Sequence, residues 1–231
     1  MKEKSVLMIF QLCILFLICF MNPLKASAAQ GVMTDDEKVE AKLKIQEHYF
    51  KNVKVETLYD EAPSIIYPYS TGRLNSAFLE RGLNAVNYYR LIVGLPSVKM
   101  SNELNELSQY GAVVLAANNF QTHYPEQPED MPDDFFENAY QATRKSNLCT
   151  GYGGELALSV SVFAYMQDVE GSNENPITVG HRRAIIHPNF ENVGFGYAEA
   201  TDGTPYVVTY VSDYNNDIID YDYISCRCAK G

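Results

Sequence analysis

The chain has 231 residues, 46% of them apolar and 20% charged, which is enough for one well-buried domain or two small ones and excludes a disordered or collagen-like protein. Acidic residues outnumber basic ones 29 to 18, for a net charge of −11. A field of that sign repels phosphate backbones and anionic lipid, so nucleic acid is set aside as a partner.

Lys2 and Lys4 precede an apolar run from Val6 to Met21, followed by Asn22, Pro23 and Ala26-Ser27-Ala28-Ala29. The run falls short of the ~20 residues of a membrane span and ends at a small-residue site, so residues 1–28 read as a secretory signal peptide cleaved after Ala28 or Ala29. The expected location is secreted and extracellular. Cys13 and Cys19 leave with the signal, and Cys149, Cys226 and Cys228 remain. In an oxidising exterior that odd count means one bridge with a leftover thiol, an intermolecular bond, or three free thiols. The expected bridge joins Cys149 to Cys226 or Cys228.

In chain order, Thr34 and Glu37 form a capping-box pair, and Val39, Leu43 and Phe50 lie near helical spacing, predicting a charged helix over 34–50. Val53 to Leu58 is a candidate strand, and the segment 62–72, with Pro63, Pro68 and Gly72, breaks regular structure. Overlapping apolar rows predict a broadly buried helix over 75–93, ended by Gly94 and Pro96. A second helix follows over 102–119, delivering the chain to Thr122-His123. The segment 125–147, rich in Pro and acidic residues, reads as a long loop. Gly151, Gly153 and Gly154 open a third helix over 155–169, and a short helix covers 179–186 before Pro188. Two β-rich runs, 193–198 and 206–211, flank Asp202-Gly203, a hairpin signal. Helices followed by a hairpin predict an α+β fold with helices packed on an antiparallel sheet.

His48 reads as solvated and His187 as a helix-end residue near free carbonyls. His123 and His181 each adjoin apolar segments but lack a local ligand spacing such as H-E-x-x-H. Glu155 opens the third helix, where a carboxylate favours the helix dipole as readily as it serves chemistry. Asp168 and Glu170 lie near that helix's far end, with Arg182 and Arg183 as candidate partners. No G-x-S-x-G elbow supports a serine hydrolase.

Taken in order, Gly82-Leu83-Asn84-Ala85-Val86-Asn87-Tyr88-Tyr89-Arg90 with Gly94-Leu95, Ala116-Ala117-Asn118-Asn119 with Thr122-His123, Gly154-Glu155-Leu156, Gly180-His181-Arg182-Arg183, and Asn192-Val193-Gly194-Phe195-Gly196 closely resemble the CAP (SCP-like) domain of secreted bacterial proteins. The family is named for cysteine-rich secretory proteins, antigen 5 and pathogenesis-related 1. The resemblance divides the chain into signal peptide 1–28, N-terminal extension 29–58, CAP domain 59–213 and tail 214–231, and it implies an α-β-α sandwich. It also implies a central cleft in which His123 and His181 hold zinc or another divalent cation. Glu155 is a cleft acid and the candidate catalytic base. Asp168 is the second acid if Tyr165 stands where the family commonly has Trp, with Glu170 as the alternative. Leu156 departs from the usual Asn, and the eukaryotic disulfide pattern is missing.

The role expected first is an extracellular binding or interaction module, taking an extracellular protein, a cell-surface ligand or a lipid as its partner and acting as a monomer. The other readings are a metal-dependent peptidase using Glu155 and a small-ligand or lipid carrier.

Overall fold

Helices begin where short polar side chains stand ready to accept the first free N–H groups. In the computed structural model, which describes residues 53–168 and 179–214, Asn75 Oδ1 accepts from the Ala77 N–H at 3.0 Å and opens α1 (Ser76–Ile92). Ser101 Oγ accepts from the Leu104 N–H at 3.2 Å and opens α2 (Asn102–Asn118). The remaining helices are α3 (Asp133–Arg144), α4 (Ala157–Gln167), preceded by a 3-10 turn over Gly154–Leu156, and α5 (Gly180–Ile185).

The strands are β1 (Tyr59–Glu61), β2 (Arg73–Leu74), β3 (Lys99–Met100), β4 (Ser146–Thr150), β5 (Asn192–Glu199) and β6 (Pro205–Tyr210). β1 and β2 form a small antiparallel ribbon; the main sheet runs in the order β3-β5-β6-β4. β5, β6 and β4 pair antiparallel, and β3 adds a short parallel pairing to β5. Gly203, at φ 84°, makes the turn of the β5–β6 hairpin with its N–H donating to the Ala200 carbonyl at 2.9 Å.

Alternation along the strands sends side chains to two cores. Val193, Phe195 and Tyr197 of β5, Cys149 of β4 and Val207 of β6 join α1, α4 and α5 on one face. Leu148 of β4, with Tyr206 and Val208 of β6, joins α2 and α3 on the other. Helices thus cover both faces of the sheet, the α-β-α arrangement.

On the α2 side β5 presents only Gly194, Gly196 and Ala198, and the small residues let the helix rest on the strand. A Cβ at Gly196 would stand 2.1 Å from the Ser108 carbonyl oxygen, and one at Gly194 2.2 Å from the Leu104 carbonyl carbon. At this distance α2 bonds the strand directly: Asn105 Oδ1 accepts from the Phe195 N–H at 2.9 Å, and Gln109 Oε1 accepts from the Tyr197 N–H.

Two elements differ from expectation. The strand expected over 53–58 is a three-residue strand at Tyr59–Glu61. The loop expected over 125–147 holds α3 and the start of β4; Phe135, Ala139, Ala142 and Thr143 give α3 its buried stripe. The signal peptide, the helix expected over 34–50, His48, Glu170, Cys226 and Cys228 lie outside the described residues.

Candidate functional site

Asp168 terminates α4 in the left-handed conformation, at φ 47°, which a short polar side chain tolerates better than most. Its carboxylate is almost fully buried, with 4% of the side chain exposed, and lies 3.0 Å from His181 Nδ1. A buried carboxylate needs a partner, and the Nδ1–H of His181 supplies it. The Arg182 N–H points at the other oxygen, at 3.4 Å.

The rest of the Gly180-His181-Arg182 segment serves the same junction. The Arg182 guanidinium also reaches the carbonyls at the end of α4. Nε donates to Met166 O at 2.7 Å and Nη2 to Gln167 O at 2.8 Å, where the helix dipole favours a cation. The His181 ring stacks on buried Tyr165, centroids 5.6 Å apart. Tyr165 in turn donates its hydroxyl to the Asn147 carbonyl at 3.2 Å, and Asn147 Nδ2 donates to the His181 carbonyl at 3.0 Å.

His123 follows α2 in an exposed loop and is tied to the end of α3. Its Nδ1 bonds the Thr143 carbonyl at 2.7 Å, while Thr143 Oγ1 donates to the His123 carbonyl at 3.2 Å. Both histidines are therefore anchored on one short stretch of chain, 143–147. Phe120 and Tyr124, 65% and 66% exposed, bracket His123, and the Arg144 guanidinium lies 5.8 Å from the Tyr124 ring centroid. Sequence periodicity could not single out these two aromatics, because they sit beyond the helix where no repeat constrains them.

Glu155 belongs to a different place. It stands in the turn before α4, whereas Asp168 stands after it; 11 helical residues at 1.5 Å each separate the two ends by about 16 Å. There Arg81 holds it: Nη1 lies 3.3 Å from Glu155 Oε2 and donates to the Glu155 carbonyl at 3.2 Å, while Nε donates to Val53 O at 2.9 Å. The structure brings His181 and Asp168 together, while His123 is held by Thr143 and Glu155 by Arg81.

For a bound metal, the favourable feature is that both imidazoles engage through Nδ1, which in the neutral ring leaves the lone pair on Nε2, the usual posture of a ligating histidine. Asp168 engages the Nδ1 of His181, the outer-shell position a carboxylate takes behind a ligating histidine, and Glu155 pairs with Arg81. Among the described residues no three His, Cys, Asp or Glu side chains gather as a metal site. His187 is apart from all of these. Its Nδ1 accepts from the Asn189 N–H at 3.2 Å and its ring lies against Tyr214; burial, followed by the Arg90 and Arg183 charges, lowers its pKa below the ordinary 6.5.

The family model for the cysteine-rich secretory protein family, CAP, matches residues 83–214, more than half of the chain. The chain belongs to the CAP family. Solved structures similar to this CAP domain include an outer surface protein from Borrelia burgdorferi, 16% identical, with 56% of this chain and 87% of that one covered at a TM-score of 0.38. An extracellular protein containing a SCP domain from Bacillus anthracis str. Ames is 11% identical, over 60% of this chain and 41% of that one, at a TM-score of 0.38. MpPR-1i is 19% identical, over 62% and 89% respectively, at a TM-score of 0.37. No curated protein matches the chain. No helix among the described residues is long and apolar enough to cross a membrane.

Proposed function

We propose that this CAP-domain protein is a secreted bacterial binding module that engages an extracellular protein or cell-surface ligand across the face bearing His123 and His181. The observation that carries the reading is the pair Phe120 and Tyr124, two aromatic rings about two-thirds exposed on either side of His123, beside the Arg144 guanidinium. Exposed aromatics with arginine are the composition of binding surfaces, and large exposed rings cost solubility unless something covers them.

The peptidase alternative asks for Glu155 beside the histidines, and Glu155 is paired with Arg81 at the other end of α4. The signal-like segment before Ala29 supports export.

The test uses the mature chain, fluorescently labelled and sedimented with intact Gram-positive cells. Wild-type protein is expected in the pellet, with the Phe120→Ala/Tyr124→Ala variant retained about fivefold less, as for an interface anchor worth roughly 1 kcal/mol. Equal partition of the two proteins refutes the reading. Cleavage of fluorescein-casein by wild-type protein, lost in Glu155→Gln, replaces it with the peptidase.

A further inference from the structure

The turn between α5 and β5 is held from two sides. From within the core, Arg90 of α1 donates from Nη1 to the His187 carbonyl at 2.9 Å and from Nη2 to the Phe190 carbonyl at 3.3 Å. On the other side lie the last described residues. Tyr214 forms a β-bridge with Phe190, the Glu191 N–H donates to Asp213 O at 3.1 Å, and Asn192 Nδ2 donates to Asp213 Oδ2 at 2.7 Å.

His187 touches both holds. The Asn189 N–H meets its Nδ1 at 3.2 Å; a backbone N–H can only donate, so Nδ1 carries a lone pair and the ring is neutral. The ring lies against Tyr214, centroids 4.3 Å apart and tilted by 40°, and the Tyr214 ring also meets Phe190 edge-on at 6.4 Å. The charges that bear on the imidazole are Arg90 from α1 and Arg183 from α5, and with burial they keep its pKa below the ordinary 6.5. The Tyr214 hydroxyl, pushed up by burial, stays protonated. Lys99 of β3, Glu191 and Asp213 complete the charged groups of this corner: the Lys99 N–H donates to Glu191 O at 2.9 Å, and the Asp213 carboxylate is engaged by Asn192.

A proton on Nδ1 turns an acceptor into a donor facing the Asn189 N–H, and it sets a third positive charge beside Arg90 and Arg183. Attraction of the imidazolium to the tilted Tyr214 ring offsets only part of this. Arg90 cannot withdraw, because it is completely buried and bonded to the carbonyls of Pro96, Ile185, His187 and Phe190. The Tyr214 side is the one that can yield, since Tyr214 is 39% exposed. We propose that this corner is an acid-operated latch, in which protonation of His187 detaches Asp213-Tyr214 from residues 190–192 while the sandwich stays folded. Opening bares Phe190, 3% exposed when the latch is closed, which also lines a cavity of about 240 Å³ with Pro96, Lys99 and Pro188.

The test reads the latch in two ways. In the full mature chain without substitutions, protection of the Glu191 amide against hydrogen exchange falls about tenfold as pH is lowered from about 7.5 to about 5, while far-UV circular dichroism is unchanged. The chain has no Trp, so Tyr214→Trp supplies a single indole reporter, whose emission moves to longer wavelength over the same range. His187→Gln takes up no proton, and its side-chain oxygen still accepts from the Asn189 N–H, so both changes disappear in that background. Unchanged Glu191 protection in the unsubstituted chain, an equal fall in His187→Gln, or loss of circular dichroism over the same range overturns the latch.

Discussion

Arg90 offers the sharpest test of how the histidine region is held. Its side chain is completely buried and its guanidinium gathers carbonyls from two separate turns. Nε donates to Pro96 O at 2.8 Å, Nη1 to Ile185 O and His187 O at 2.9 Å each, and Nη2 to Phe190 O at 3.3 Å. Replacing it by Met keeps most of the apolar stem and removes every donor. Each buried acceptor left behind costs about 1 kcal/mol or slightly more. Removing the charge returns part of this, because a buried guanidinium carries a desolvation penalty of its own. The expected net loss for Arg90→Met is about 3 to 4 kcal/mol. At a urea m-value of roughly 2 kcal/mol/M, that moves the unfolding midpoint down by about 1.5 to 2 M. Arg90→Lys, with a single ammonium in place of the fork, should lose about half as much. Because Ile185 and His187 follow the segment bearing His181, the NMR signals of that ring should broaden in the Met variant at denaturant concentrations where wild type is unaffected. A Met variant within about 1 kcal/mol of wild type would show that the four carbonyls do not depend on Arg90, and the reasoning would fail.

Gly196→Ala should cost about 3 kcal/mol or more, read as a fall in melting temperature, because its methyl would meet the Ser108 carbonyl oxygen at 2.1 Å; a neutral result would show that α2 can lift from β5 without penalty. His187 has a folded pKa below its unfolded value. Its contribution is therefore complete above about pH 6.5 and is lost as pH falls toward the folded value. His187→Gln should flatten the fall in stability below about pH 6.5, and an unchanged pH profile refutes the assignment. The Cys149 thiol is buried and pushed up to about 11 by that burial. Native protein in reductant should alkylate there at about pH 8 some 100-fold more slowly than unfolded protein; equal rates would contradict the burial.

The parts of the fold that could be read from sequence were those with local causes. Apolar spacing marks α1 and α2, and Asp202-Gly203 marks the hairpin by backbone conformation. α3 was missed although its stripe was present. Phe135, Ala139, Ala142 and Thr143 are spaced for a helix, but two of the four are alanines, and the proline and acids at its start read as loop. β4 was missed because it is short and reads Ser-Asn-Leu-Cys-Thr, with little β-branched character to announce it. At the site, the Gly-His-Arg segment was legible as a motif. The division of labour within it, His181 to the carboxylate and Arg182 to the helix end, depends on a crossing of α4 and α5 that no local pattern encodes. Glu155 could not be placed for the same reason: its partner Arg81 is 74 positions away.

The bonds from Asn105 and Gln109 to β5 bear on solubility. A strand whose outward N–H groups are open is a template onto which another chain can add. Those groups on Phe195 and Tyr197 are occupied by side chains 90 and 88 positions earlier in the sequence. The glycines beneath leave no side chains to hold an incoming strand away. Until α2 has docked, the folding chain therefore carries an open β edge at Phe195 and Tyr197. Loss of helix docking and the onset of intermolecular strand pairing then become a single event, and variants at Asn105 or Gln109 should reveal themselves first as aggregation during refolding.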